Sequence, residues 1–310
     1  MLKLDKKKIR KGKAVGLPYV GSKKKISKKI IEIIKQNFDI DGKTVYDIFG
    51  GGGAVTAECL INNIPVVYND LDKSITDIFD KVLHENREWI KTMIISRSEF
   101  IEIKEKDNKT IEDELKLLVN SFGNNSKGYL YSKEYSDLKY ELAIEIIEKH
   151  DCFSGYKQTG TYKNAHKPYF EGKKEKAKTL QRLQQLEQLE QLEQLQRLQQ
   201  LECRFKTTNN SYECFSNLKG QVLYLDPPYE NSNQEAYKGN FNSDKFYNWA
   251  YEMSQNNIVI ISSYEISDDR FESAFEFRTA RCTLAGGSKG RRTEKLFTVK
   301  HDVSDFNLWQ

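Results

Sequence analysis

The sequence predicts an α/β protein whose mainly parallel sheet is split in two by a polar, mainly helical insert. Three observations lead there. In DGKTVYDIFGGGGAVTAECLINNIPVVYND (Asp41–Asp70) a strand, a glycine loop, a helix and a second strand follow at the tight spacing of a parallel βαβ unit. The same alternation resumes at QVLYLD (Gln221–Asp226). Between about Ser96 and Phe205 it is absent, and the chain turns rich in Lys, Asn, Tyr and Gly.

Taken in order, ISKKIIEIIKQNF (Ile26–Phe38) carries apolar residues at helical spacing. Thr44–Phe49 is the first strand, Gly50–Gly53 the loop and Ala54–Asn62 the helix; Ile64–Asp72 is a second strand ending in acids. Tyr135–Lys149 is helical within the insert. After the strand QVLYLD, DKFYNWAYEMSQ reads as a helix and NIVIISSYE as another strand. CTLAGGSKGRRTEKLFTVK is a glycine-rich basic loop feeding a final strand. These boundaries give a first half over 1–95, an insert over 96–205 and a second half over 206–310.

The chain has 310 residues, enough for one large domain or two moderate ones. Hydrophobic residues at 38% and aromatics at 12% support a core, while 30% charged residues mark a polar surface, as does a mean hydropathy of -0.70. Five cysteines (Cys59, Cys152, Cys203, Cys214, Cys282) form no C-x-x-C pair, which argues against a disulfide framework or zinc site and fits a reducing compartment. The four histidines have no ligand spacing, so no metal is expected. The apolar runs are too short to span a bilayer, and no apolar stretch follows the lysine-rich start, so a soluble, cytoplasmic protein is expected. A net charge of +4 hides an asymmetry: twelve Lys and Arg crowd the first thirty residues against one acid, Asp5. Such a block suits a polyanionic partner or a solvated tail.

The glycine loop lets backbone approach a ligand and opens a helix N-terminus toward it. Asp70 ends the next strand, where a carboxylate holds ribose hydroxyls of a nucleoside cofactor. The tetrapeptide Asp226-Pro227-Pro228-Tyr229 follows a buried-type strand. Its prolines remove two N–H groups and leave carbonyls to accept. An amino group conjugated to an aromatic base is a poor nucleophile, because its lone pair is delocalised into the ring. Asp226 and the Pro227 carbonyl, accepting its two hydrogens, would expose that pair, while Tyr229 stacks on the flipped base.

PYVGSKKKI, DIFGGGG, YND and DPPY, in that order, resemble the adenine-N6 DNA methyltransferases of the Dam-like (D12) class, closest to its phage and prophage branch. The resemblance spans nearly the whole chain except the extreme N-terminus and a leucine run. It implies a Rossmann-like S-adenosylmethionine-dependent methyltransferase sheet with an inserted target-recognition module. It also implies double-stranded DNA as partner, S-adenosylmethionine as methyl donor without a metal, and direct methyl transfer to adenine N6. By the same resemblance Tyr19, Lys23, Asp47, Phe49, Gly50, Gly52, Asp70 and Asp226 are cofactor-side residues, and Asp226, Pro227, Pro228 and Tyr229 catalytic ones. Gly21-Ser22-Lys23 departs mildly from the Gly-Gly-Lys common in the family. Roles in restriction protection, in guarding a phage genome or in gene regulation are all compatible with it, and GATC is the family's first target to test.

Three segments are candidate DNA contacts. SFGNNSKGYLYS (Ser121–Ser132) looks like a phage-branch segment and offers Asn124, Asn125 and Lys127. Tyr156–Lys174 interleaves Lys163 and Lys167 with aromatics, a pattern for phosphate contact and stacking. Gly286–Lys295 carries Lys289, Arg291 and Arg292 on a glycine-rich loop. Each also fits a solvated loop.

In Leu180–Glu202 (LQRLQQLEQLEQLEQLQRLQQLE) leucine returns at every third residue. A coiled coil needs a period of 3.5. On an α-helix a period of three slips about 60° per leucine, so no face stays apolar. Propensity still favours a helix. The expectation is a helical arm projecting from or packed along the recognition module, frayed in part, with self-association through the leucines as a further possibility. Two rivals stay open: cytosine-N4 methylation, since some such enzymes share DPPY, and a DNA-binding or assembly protein with a vestigial methylase site.

Overall fold

The structure, a computed structural model, describes residues 1–170, 186–201, 205–230, 241–281 and 293–300, the side chains of 166–170 and 278–281 excepted. The chain divides into two compact units. One comprises Met1–Ala14, Lys23–Thr76 and Glu202–Gln310, the other Val15–Ser22 and Asp77–Leu201.

The first unit holds a seven-stranded sheet with strands β1 (Val45–Asp47), β2 (Val66–Asn69), β3 (Lys206–Thr208), β4 (Val222–Leu225), β5 (Ile258–Ser263), β6 (Phe271–Arg281) and β7 (Thr293–Val299). Their spatial order is β3-β2-β1-β4-β5-β7-β6. The pairs from β3 across to β5 are parallel, and β7 runs antiparallel to both β5 and β6. This is the Rossmann-like methyltransferase architecture expected.

Strand periodicity sends alternate side chains to opposite faces. Val222, Tyr224, Ile258 and Ile260 go to one face, where they pack with Ile30, Ile31, Ile33 and Ile34 of α1 (Ser27–Asn37) and Val55 and Cys59 of α2 (Ala54–Ile61). Leu223, Leu225, Val259 and Ile261 go to the other, against Phe246, Trp249, Ala250 and Met253. With both faces covered, all four residues of β4 and all six of β5 are buried. Each such aliphatic side chain contributes about 1.5–3 kcal/mol.

Two strands were not legible in sequence. β3 is a three-residue edge strand of Lys-Thr-Thr with no apolar pattern. β6 has its alternation broken by register shifts between Ser273 and Phe275 and beyond Glu276.

The second unit is helical. The chain enters it within α3 (Lys73–His84) and continues through α4 (Arg87–Lys91), α5 (Arg97–Glu105), α6 (Ile111–Val119), α7 (Ser136–Lys149), α8 (Gly160–Phe170) and α9 (Glu187–Gln199). A capping box of Thr110 and Asp113 starts α6. No described helix is long and apolar enough to cross a membrane.

The leucine run supplies α9, and its place is interior. Leu186, Leu189, Leu192, Leu195 and Leu198 are all at 0% exposure. Leu186 precedes the helix, and three slips of about 60° spread the other four over roughly 180° of it, so they need neighbours on more than one side. α4 and α6 pack against it. Lys139 of α7 pairs with Glu187 at 3.2 Å and Lys157 with Glu190 at 3.1 Å. The described part of the run is therefore packed inside its unit and does not project, and its buried leucines present no stripe for self-association. Residues 180–185 and 202 of the run lie outside the described residues.

Gln188, also fully buried, donates through Nε2 to Asn120 Oδ1 at 2.6 Å, Ile95 O at 3.2 Å and the Tyr129 hydroxyl at 3.2 Å. Its backbone N–H donates to the Tyr131 hydroxyl at 3.2 Å. One glutamine of a repetitive helix is thus wired into the centre of the unit.

Candidate active site

The parallel register aligns the C-terminal ends of three neighbouring strands, with Asp47 of β1 opposite Tyr68 of β2 and Tyr224 of β4. From β1 the chain moves outward to β2 and β3, then returns to β4 on the other side. That reversal makes a crevice at the ends of β1 and β4, where ligands bind in open α/β sheets. The glycine loop follows β1, Asp70 follows β2 and Asp226-Pro227-Pro228-Tyr229 follows β4.

The glycine loop is built around two tyrosine and asparagine anchors. A Cβ on Gly50 would lie 2.3 Å from Tyr68 Cε2, so only glycine fits. The Tyr68 hydroxyl donates to Gly51 O at 2.8 Å, and the Asn69 carbonyl accepts from Gly50 N at 2.8 Å. Gly51 (φ 47°) and Gly53 (φ 66°) take left-handed conformations. Gly53 opens α2 with no side-chain cap of its own, and the carboxylate of Asp47 takes up the Thr56 N–H of the first turn instead. Asp70 ties this loop to its neighbour: Oδ2 accepts from Gly51 N at 2.8 Å and Oδ1 from Asp72 N at 2.8 Å.

Asp47 is only 1% exposed and accepts from Thr56 N at 3.1 Å and Thr56 Oγ1 at 2.7 Å, clamping the first turn of α2. Burial raises its pKa to about 7, against the lowering effect of the Thr56 bonds; the charges of Asp226 and Asp70 add to the rise. Phe49 sits in an aromatic cluster with Tyr212, Phe241 and Phe246.

At the end of β4, Lys23 Nζ lies 2.8 Å from Asp226 Oδ2 and donates to the Tyr229 hydroxyl at 2.6 Å. The Tyr229 hydroxyl donates to Glu294 Oε1 at 2.8 Å and approaches Asp226 Oδ1 at 3.4 Å. Ser262 Oγ donates to the same Glu294 oxygen at 2.8 Å. The Tyr229 and Tyr264 rings meet edge-on at 4.5 Å. Burial raises the Asp226 pKa to about 6, with Lys23 pulling it down and Glu294 pushing it up. The Tyr229 phenol is raised far above its ordinary value by burial and by the Asp226 and Glu294 charges, so it stays protonated and donates.

Lys23, Asp47, Gly50, Gly52, Asp70, Asp226 and Tyr229 thus share one sheet edge in the first unit, with Pro227 buried behind them. Tyr19, half-buried, falls in Val15–Ser22, which clusters with the second unit. In that second unit Asn125, Lys127 and Lys163 are exposed. Asn124 is drawn inward, donating to Leu118 O at 3.1 Å. The segment from Tyr156 departs from the expected loop. It forms a short 3-10 turn and α8, and Tyr156 is a core residue at 2% exposure, because its ring is consumed by packing. The side chain of Lys167, and Lys289, Arg291 and Arg292, lie outside the described residues.

Sequence reasoning missed Glu294, Ser262 and Tyr264. The signal for Glu294 was available: it has the same strand parity as buried Leu296, so an acid points inward. Ser262 and Tyr264 carry no comparable mark.

The family model of the D12 class N6 adenine-specific DNA methyltransferases matches residues 19–276. Among solved structures, the rRNA methyltransferase aviRa from Streptomyces viridochromogenes aligns over 96% of this chain and 93% of its own, at 10% identity and a TM-score of 0.36. The comparison with curated proteins finds no match. Since the family match takes in well over half of the chain and includes both the glycine loop and the Asp226–Tyr229 tetrapeptide, the chain belongs to the D12 class N6 adenine-specific DNA methyltransferase family.

Proposed function

We propose that this chain transfers the methyl group of S-adenosylmethionine directly to N6 of a target adenine flipped out of duplex DNA. The observation that carries this is the convergence of Lys23, Asp226 and Tyr229 at the end of β4, beside the glycine loop and Asp70. The residues fit the cofactor: Asp70 offers carboxylate oxygens suited to ribose hydroxyls, and the run of four glycines ahead of α2 carries no side chain to bar close approach. S-adenosylmethionine, when bound, supplies an electrophilic methyl on a positively charged sulfur.

Asp226 and the Pro227 carbonyl accept the two amino hydrogens and draw the nitrogen toward a tetrahedral shape. With the donor held by the glycine loop and Asp70, N6 would take the methyl as its bond to sulfur breaks, the electron pair going to sulfur. The surplus proton on N6 passes to Asp226 and on to water. Tyr229, neutral at any working pH, offers a ring face to the extruded base and holds it by stacking. Exposed Asn125, Lys127 and Lys163 of the second unit are of the chemistry that binds DNA phosphates and base edges.

Methylation assays with labelled donor, followed by nucleoside identification, test the reading. N6-methyladenine is expected as product, with activity declining as pH falls through about 6, where Asp226 protonates. Asp226→Ala should abolish transfer. Labelled N4-methylcytosine, or no transfer to any DNA, would refute the proposal. Sequencing of methylated adenines in a host expressing the chain gives the target.

A further inference from the structure

Asp226 is not at liberty in this site. Its Oδ2 holds the Lys23 ammonium at 2.8 Å, and the same ammonium binds the Tyr229 hydroxyl at 2.6 Å. A carboxylate neutralised in this way is a weak acceptor for an incoming amino group. To release it, the ammonium needs another anion within reach, since leaving a buried charge unpaired costs several kcal/mol. One stands ready: Glu294 Oε1 lies 3.6 Å from Lys23 Nζ, inside ion-pair range and just beyond a hydrogen bond. The Lys23 side chain is 10% exposed and that of Glu294 7%, so water cannot substitute cheaply. Glu294 is itself fixed on β7 by Ser262 and Tyr229, which donate to the same oxygen at 2.8 Å each.

We infer that Glu294 is a positioning residue of the methyl-transfer site: it takes over the Lys23 ammonium when a substrate amino group claims Asp226, and it holds the Tyr229 hydroxyl throughout. This inference rests on the methyltransferase reading above for its substrate. The exchange needs no covalent step; one ammonium passes between two carboxylates that flank it. The ligand-free site is thereby kept neutral enough to be stable, and Asp226 becomes a strong acceptor only once its proper partner arrives.

Among the described residues, the titratable groups acting on Asp226 are Lys23 and Glu294, then Tyr229; Tyr224 and Asp47 feel its charge in turn. Of these, Lys23 lowers and Glu294 raises the Asp226 pKa. Removing the Glu294 charge should therefore move Asp226 to lower pH.

The test is Glu294→Gln, which keeps the acceptor for Ser262 and Tyr229 but removes the second home of the ammonium. Two measurements are made on the full chain. In NMR titration of 13C-carboxyl aspartate, assigned with Asp226→Asn, the Asp226 midpoint should fall by about half a unit or more. In single-turnover methylation, the rate should drop at least about tenfold while DNA affinity stays within about twofold, the pattern of an interaction needed only for the chemical step. Glu294→Asp, which restores the charge on a shorter arm, should return the Asp226 midpoint to the wild-type value and regain part of the rate; it carries the test if Glu294→Gln does not fold. An unchanged or raised midpoint in Glu294→Gln, or a wild-type rate, would overturn the inference. A wild-type protein that methylates no DNA would sink the methyltransferase reading instead, and the carboxyl titration would still report whether Asp226 and Glu294 compete for Lys23.

Discussion

Gln188 and Gln191 occupy the same place in successive Leu-Glu-Gln triplets, yet the structure assigns them different costs. Gln188 is fully buried and its two amide N–H groups are shared among three acceptors, whereas Gln191 is partly exposed and accepts one bond, from Gln194 at 3.1 Å. In Gln188→Leu the bonds of both N–H groups go, at about 1 kcal/mol each. Against this, Gln188 Oε1 has no partner among the described residues, so its removal returns about 1 kcal/mol. The deserted acceptors are not stranded, because Asn120 Oδ1 keeps Ile95 N at 3.3 Å and Ile95 O keeps the Tyr129 hydroxyl at 2.9 Å. The net expectation is about 1 kcal/mol of destabilisation, against under about 0.5 kcal/mol for Gln191→Leu. Native-state hydrogen exchange read by mass spectrometry over Ile111–Val119 and Glu187–Gln199 measures the local stability of the second unit. Equal protection losses in the two variants would refute the assignment of Gln188 as the polar anchor of α9.

Two further predictions follow from the same reasoning. Deleting the triplet Leu189–Gln191 lets Leu183-Gln184-Gln185 slide into the places of Leu186-Glu187-Gln188. Every buried leucine and the buried glutamine are then replaced in kind, at the loss of the Lys139–Glu187 pair. Such a deletion should retain the fold and S-adenosylmethionine binding, whereas deleting only Glu190 and Gln191 brings glutamate to the buried position 189 and should unfold the second unit; circular dichroism and calorimetric titration distinguish the cases. Asp47, raised from 3.8 to about 7 by burial, binds its proton more tightly folded than unfolded, so its contribution to stability is greatest in acid and is lost between about pH 4 and pH 7. The full span corresponds to about 4 kcal/mol at 1.36 kcal/mol per pKa unit. Asp47→Asn, still able to accept from Thr56, should therefore melt higher than wild type at pH 8 and lose that advantage toward pH 4; a gap independent of pH would contradict it.

The run also shows where sequence reasoning reaches its limit. Its period of three excluded a straight coiled-coil seam from the sequence alone, because the angular slip per leucine is a property of the helix. Whether the winding stripe meets solvent or neighbours depends on what lies around it. α4 and α6, which supply those neighbours, show no feature that announces them as partners of a distant repeat. The same holds at the active site. Lys23 and Asp226 are separated by about two hundred residues of chain, and only the folded sheet makes them an ion pair at 2.8 Å.

Local chemistry determined a great deal by itself. Buried strands at Thr44–Phe49, Gln221–Asp226 and Asn257–Glu265, the glycine turn and the α1 and α2 helices follow from side-chain periodicity and the freedom of glycine, both of which act over a few residues. The Asp-Pro-Pro-Tyr tetrapeptide follows from functional-group chemistry that is equally local. Tertiary structure alone decided the sheet order, the edge strand β3, the bulged β6, the interior place of the leucine run and the approach of Glu294 to Lys23. Those features depend on contacts between segments far apart in sequence, whose energies arise only when the chain has closed around them.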